Sequence, residues 1–514
     1  MNNPNAFTRC ALACLITLLS IALCIGNYLQ AAQNPAPSLP LQSLRELSEP
    51  ETAPNAPLIQ AWTLRQGTRV LFVENHNLPM IDLKLTFAAG SYHDGDAPGL
   101  AAMAQALFGT DSAVKQATDI AREFDRYGVK ITRGIDTEHS YYTLRSLSEE
   151  AIFAPVMALF TETLSRPKFS QENLHRIRHA LETDLKLLQS LPESRALTLL
   201  KETLYVDHPL ARPVNGTRES LQRITARQLR DFYRRAYTAA NAQLVIVGDL
   251  TPEQAKLLSQ QLADTLPQGP ALSVPPGFTA PAHHGKQLHI EEDASQTMLM
   301  MMQNALPNQH PDAIAMHIAN VVFNHVLNAQ LREKYNLTYG VLSDIEHARG
   351  ATGWLIQFSV APQYSHEAMA LTKTLFAQFL KEGPSEEQLN TLKKYLRRAL
   401  PQLMATNKNL LNELGVINRF DQPLDFTYKT AEIQNMTTEQ IKAAINRHLD
   451  ADSWVSLTLG PSAEQQPLPD TSSHAANASM TCNSTNWASA GQHTLLGHRS
   501  MLWQLKHTPT PVTD

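Results

Sequence analysis

His175 and His179 stand four positions apart, a spacing that places two imidazoles on one face of a helix, near enough to share a metal ion. Arg176 and Arg178 surround them and no Glu lies between to serve as a base, so two surface histidines are the plainer reading. Met298, Met300, Met301 and Met302 would suit copper, but an apolar strand accounts for them more simply. Arg332 and Tyr339 are a different kind of pair, a permanent cation with several donors and a phenolic hydroxyl, suited to anchoring a peptide carbonyl. Spacing alone leaves open that Arg332 pairs with Glu333 and that Tyr339 merely packs. His139 reads as structural, and the irregularly spaced His474, His493, His498 and His507 read as solvated.

Such side chains act only where regular elements hold them. The pattern predicts strands at 69–73, 81–88, 141–147, 243–247 and 354–360. After Ser170, one helical stripe carries Leu174, Ile177, Leu181, Leu185 and Leu188, as for a helix lying on a sheet. Thr225 with Gln228, and Thr437 with Gln440, have capping-box spacing and predict two helix starts. Several neighbouring strands are joined by turns too short for a parallel crossover. The fold class is therefore α+β, with mostly antiparallel sheets and helices packed on them.

The chain also repeats itself. Ser170-Gln171-Glu172-Asn173-Leu174 matches Ser385-Glu386-Glu387-Gln388-Leu389 at a shift of 215, the difference between 385 and 170, and Leu181 then falls on Leu396. Thr225-Ala226-Arg227-Gln228-Leu229 matches Thr437-Thr438-Glu439-Gln440-Ile441 at a shift of 212, so one three-residue deletion reconciles the two. This predicts two tandem homologous domains, 58–266 and 287–461, joined by a Pro- and Gly-rich linker at 267–286. Residues 1–32 read as an export signal or an uncleaved anchor, 33–57 as a linker and 462–514 as a disordered tail. The expected location is the periplasm, with inner-membrane attachment only if the leader persists.

A net charge of -5 gives no electrostatic reason to expect nucleic acid. Of the 4 cysteines, Cys10, Cys14 and Cys24 lie in the leader, so the mature chain keeps Cys482 and builds no internal disulfide framework.

The stretch Gly99-Leu100-Ala101-Ala102-Met103-Ala104-Gln105-Ala106-Leu107-Phe108-Gly109-Thr110, with Ala88-Ala89-Gly90-Ser91 before it, resembles the pitrilysin, insulinase and mitochondrial-processing-peptidase family of metallopeptidases. His208-Pro209, Gly216-Thr217, Gly248-Asp249 and Leu331-Arg332-Glu333-Lys334 carry the resemblance across 58–461. In that family's H-x-x-E-H pattern two His bind zinc and the Glu activates water. Here the three positions read Ala102, Gln105 and Ala106. Two methyl groups ligate nothing, and an amide has no useful proton affinity near neutral pH.

The resemblance implies a clamshell closing over an extended peptide, with a third zinc ligand from the helix after Ser170, where Glu182 and Asp184 are the nearest candidates. Without the two His, both read as solvated carboxylates. It further implies that Arg332 and Tyr339 bind substrate backbone, while Asn336 takes the place of a Gly, tolerable because Asn accepts positive φ. No catalytic residue, metal ligand or cofactor is expected on this chain. The expected partners are a zinc-bearing H-x-x-E-H subunit and a peptide substrate; the alternative is a stand-alone peptide-binding or scaffold protein.

Overall fold

A computed structural model describes residues 56–274, 285–346, 348–350 and 352–469. The expected signal or anchor, most of the linker at 33–57, part of the linker at 267–286 and nearly all of the tail lie outside the described residues. All described residues belong to one compact unit, Pro54–Asp514.

The strands are β1 (Gln60–Thr63), β2 (Arg69–Glu74), β3 (Met80–Phe87), β4 (Lys130–Ile135), β5 (Ser140–Leu147), β6 (Ala242–Gly248), β7 (Gln287–Glu291), β8 (Thr297–Ala305), β9 (Leu342–Ile345), β10 (Thr352–Val360) and β11 (Val455–Gly460). The helices that matter below are α1 (Leu100–Gln105), α2 (Glu150–Ser165), α3 (Gln171–Ser190), α4 (Pro192–Leu204), α5 (Ala226–Ala236), α6 (Ala313–Leu327), α7 (Ser365–Glu382), α8 (Glu386–Leu403), α9 (Asn407–Arg419) and α10 (Thr438–His448).

Among the described residues these strands form a six-stranded sheet, ordered β1-β2-β6-β3-β5-β4, and a five-stranded sheet, ordered β7-β11-β8-β10-β9. All pairings are antiparallel except β2 with β6 and β7 with β11. Both expected capping boxes are present: Thr225 and Gln228 exchange hydrogen bonds of 3.0 and 3.3 Å, and Thr437 and Gln440 bonds of 2.9 and 3.3 Å. The methionine run is strand β8, with Met300, Met301 and Met302 fully buried.

The repeat extends further than the matched residues. The shift of 215 carries α3 onto α8 and α4 onto α9, since Pro192 plus 215 is Asn407 and Leu204 plus 215 is Arg419. These last two helices are exchanged between the halves. Helix α9 lays Leu410, Leu411, Leu414 and Ile417 on Leu71, Val73, Val245 and Val247 of the first sheet. Helix α4 lays Ala196, Leu200 and Leu204 on Met300, Met302, Val455 and Leu457 of the second.

The opposite face of the first sheet, carrying Val70, Phe72, Leu244 and Ile246, packs under α1, α2, α3 and α5. Central strands β2 and β6 are thus apolar on both faces, which explains their unbroken hydrophobic runs. At about 1.5–3 kcal/mol for each large buried side chain, the four apolar residues of α9 bind the halves firmly.

The halves are also latched by charge. Arg419, at the end of α9, donates to Asp136 at 3.0 Å and to Glu138 at 2.9 Å. Glu138, itself 4 % exposed, also accepts the backbone N–H groups of Arg349 and Gly350 at 2.7 and 2.8 Å. Beyond β11 the chain stays attached through Ser462 to Glu291 and through Gln466 to Gln363, so the free tail cannot begin at residue 462.

Candidate functional site

Helix α1 and its C-cap Ala106 carry the three positions that would bind and activate zinc in the H-x-x-E-H pattern, and the surroundings place the helix tightly. Gly90 precedes it at a point where a Cβ would lie 2.4 Å from the backbone of Thr137 and Glu138. Gly99 starts it at φ +90°, in the left-handed region, with Asn215 O 2.9 Å from where a Cβ would stand. Asp94 accepts the backbone N–H groups of Gly99 and Ala101, both at 2.7 Å, and so satisfies donors at the helix start. Burial raises its pKa to about 7, opposed by those two N–H groups and by Arg212 and Arg235.

Every residue of α1 is buried: Ala102 is 1 % exposed and Gln105 6 %. The far end is closed by side chains from the first sheet. The Tyr142 hydroxyl donates to Gln105 O at 3.2 Å, and Arg133 Nη1 donates to Ala106 O at 3.2 Å and to Phe108 O at 2.5 Å. Across from β4, Asp184 on α3 feels the Arg133 charge, although burial dominates and raises its pKa. Glu182 turns aside to Gln222 at 3.4 Å. Of the two acids, Asp184 is therefore the one electrostatically coupled to the degenerate site.

The residues around α1 do not fit a zinc ion. Two alanines and an amide occupy the ligand and base positions, and one coupled carboxylate is no coordination set. His175 and His179 are both exposed, and His179 Nδ1 lies 3.4 Å from Thr183 Oγ1. No third ligand joins them among the described residues. His139 is buried, and burial together with Arg419 lowers its pKa, which keeps it neutral beside the latch.

One convergence of ligand-type side chains escaped sequence reasoning. His310, Asp312 and His448 bring their ligand atoms within 4.8 Å. Asp312 accepts from His448 Nε2 at 2.7 Å and from Arg447, which together hold its carboxyl below the usual range. With an arginine on that carboxylate, the cluster works as a charged joint between the start of α6 and the end of α10. The contributing segments lie more than a hundred residues apart, so no local pattern marks them.

Arg332 and Tyr339 sit on the segment that leaves α6. Asn328–Lys334 forms a π-helical turn, with Tyr335 N bonded to Gln330 O at 3.1 Å. Such turns are uncommon and often mark functional sites. Buried Leu331 and Leu337 anchor the segment from below, and Leu337 N reaches Leu331 O at 2.8 Å. Asn336 turns the chain at φ 49°, the left-handed conformation that a Gly would otherwise supply. Arg332 is exposed and makes no ion pair among the described residues, and Tyr339 is 93 % exposed, so it does not pack.

Two homologous α+β halves with exchanged helices, and a buried helix stripped of ligands in the first, define a metallopeptidase scaffold without its metal chemistry. Comparison with known proteins agrees. Residues 69–218 match the insulinase family, peptidase family M16, and residues 223–396 match the peptidase M16 inactive domain.

The crystal structure of a peptidase M16 inactive domain from Pseudomonas fluorescens superimposes with a TM-score of 0.75 at 33% identity, covering 80% of this chain and 100% of that one. The non-peptidase homolog YmxG of Helicobacter pylori is 25% identical over 396 residues, 74% of this chain and 89% of the relative. The periplasmic protease PqqL from Escherichia coli shares the fold at a TM-score of 0.65 and 16% identity, and this chain spans 46% of its length. The chain belongs to the M16 peptidase family, and the positions of the H-x-x-E-H pattern hold Ala102, Gln105 and Ala106 in it.

Proposed function

We propose that this chain is the non-catalytic subunit of a heterodimeric zinc metallopeptidase, pairing with an H-x-x-E-H homologue and gripping an extended peptide through Arg332 and Tyr339. The observation that carries this is the contrast within one intact scaffold. The helix that should cut is buried and chemically silent, while an anchored turn presents a cation and a phenol with no competing ion pair. Zinc belongs to the partner in this arrangement, and a guanidinium with a phenolic donor suits peptide carbonyls directly. Export to the periplasm fits the apolar leader and the likeness in fold to PqqL, a periplasmic protease. No helix among the described residues is long and apolar enough to cross a membrane.

A second reading, a stand-alone peptide-binding or scaffold protein, draws on the name of the Helicobacter pylori relative, a non-peptidase homolog. Co-expression with each zinc-bearing homologue of the same genome separates the two. Peptide hydrolysis that requires both chains supports the subunit; failure of every homologue to co-purify favours the scaffold.

A further inference from the structure

The far end of α1 is occupied by a positive charge from the protein itself. Arg133 projects from β4, the edge strand of the first sheet, and its Nη1 donates to the carbonyls of Ala106 and Phe108. Carbonyls at a helix C-terminus lack intrahelical partners and carry the negative end of the dipole, so a guanidinium satisfies both needs there. Ala106 is also one of the two positions that carry a ligand in the H-x-x-E-H pattern, so the guanidinium is fastened to a residue that would have held the metal. On α3, Asp184 lies near enough for its charge and that of Arg133 to act on each other. No hydrogen bond joins the two among the described residues, so they act through space.

We propose that Arg133 has taken over the place of the metal's charge: it ties off the end of α1, acts on Asp184 through space, and closes this region to a metal cation even if the ligands are restored. This stands independently of any partner subunit. A dication brought beside a guanidinium fixed to the two carbonyls meets like-charge repulsion. Rebuilding the motif alone would then not restore zinc binding.

The test rebuilds the motif in the full chain as Ala102→His/Gln105→Glu/Ala106→His, with Arg133 retained or combined with Arg133→Ala. Binding is titrated with zinc alone, and metal per chain is measured after dialysis. The proposal expects zinc to bind about tenfold or more tightly once Arg133 is removed. Equal affinity in the two backgrounds, or no binding in either, overturns the claim that Arg133 closes the site.

A metal-free cycle decides the case in which the rebuilt chains do not fold. Asp184→Asn should raise the melting temperature little in the wild type, where Arg133 offsets the cost of burying the acid. The same change on an Arg133→Ala background should raise it more, because a desolvated acid without a cation is relieved. Effects of the same sign and size in both backgrounds overturn the charge partnership.

Discussion

Helix α1 in the first half and the turn after α6 in the second are built in opposite ways. The first is sealed. Its glycines admit no side chain, its capping acid is buried, and its final carbonyls are taken by Tyr142 and Arg133. The second is open: Leu331 and Leu337 are buried beneath it, while Arg332 and Tyr339 project into solvent. One region is packed shut around satisfied backbone groups, and the other presents polar side chains on an anchored turn.

The largest effect should come from breaking the latch that holds the sealed region. The backbone N–H groups of Gly90, Ser91 and Tyr92 bond to the turn at 136–138, and Arg419 fixes that turn. Arg419→Ala leaves Glu138 buried without its cation and should destabilise the chain by about 3–5 kcal/mol, read as a loss in denaturant midpoint. Gly90→Ala forces a Cβ into backbone and should cost about 1–3 kcal/mol by the same measurement.

The open region should respond in the reverse sense. Arg332→Ala should lower kcat/KM of the reconstituted pair about tenfold, equivalent to about 1.4 kcal/mol, while stability stays within about 0.5 kcal/mol of wild type. A fall in stability with kinetics unchanged would make Arg332 a structural residue. Tyr339→Phe removes one donor and should give a smaller loss in the same assay, with assembly intact.

The subtlest expectation concerns Asp94. Its folded pKa, about 7, lies above the ordinary carboxylate value of 3.8, so the native state binds the proton more tightly than the unfolded chain. Its contribution to stability is therefore fully present in acid and is lost as pH rises from about 4 to about 7. The stability difference, wild type minus Asp94→Asn, should fall across that window. A flat difference would mean that Asp94 titrates normally.

Much of the scaffold was legible in the sequence because it is written in local periods. Short apolar runs located β2, β3, β5, β6 and β10, the leucine stripe located α3, and two Thr/Gln spacings fixed helix starts. The exchange of α4 and α9 was not legible: Leu71 and Val73 require a cover, but a period of two never says which segment supplies it. Ala102, Gln105 and Ala106 told what the first half lacks, and Asn336 that the second half could turn. The role of Arg133 was hidden, since a lone arginine on an edge strand looks like any solvated one until the helix end it reaches is placed.

The central claim, that this chain holds a peptide but does not cut it, is tested most directly by one reconstitution. The chain alone, an H-x-x-E-H homologue alone and the co-purified pair are each assayed for bound zinc and for chelator-sensitive peptide hydrolysis. The expected result is zinc only on the homologue and efficient hydrolysis only by the pair. Stoichiometric zinc on the chain alone, with chelator-sensitive hydrolysis, would contradict it.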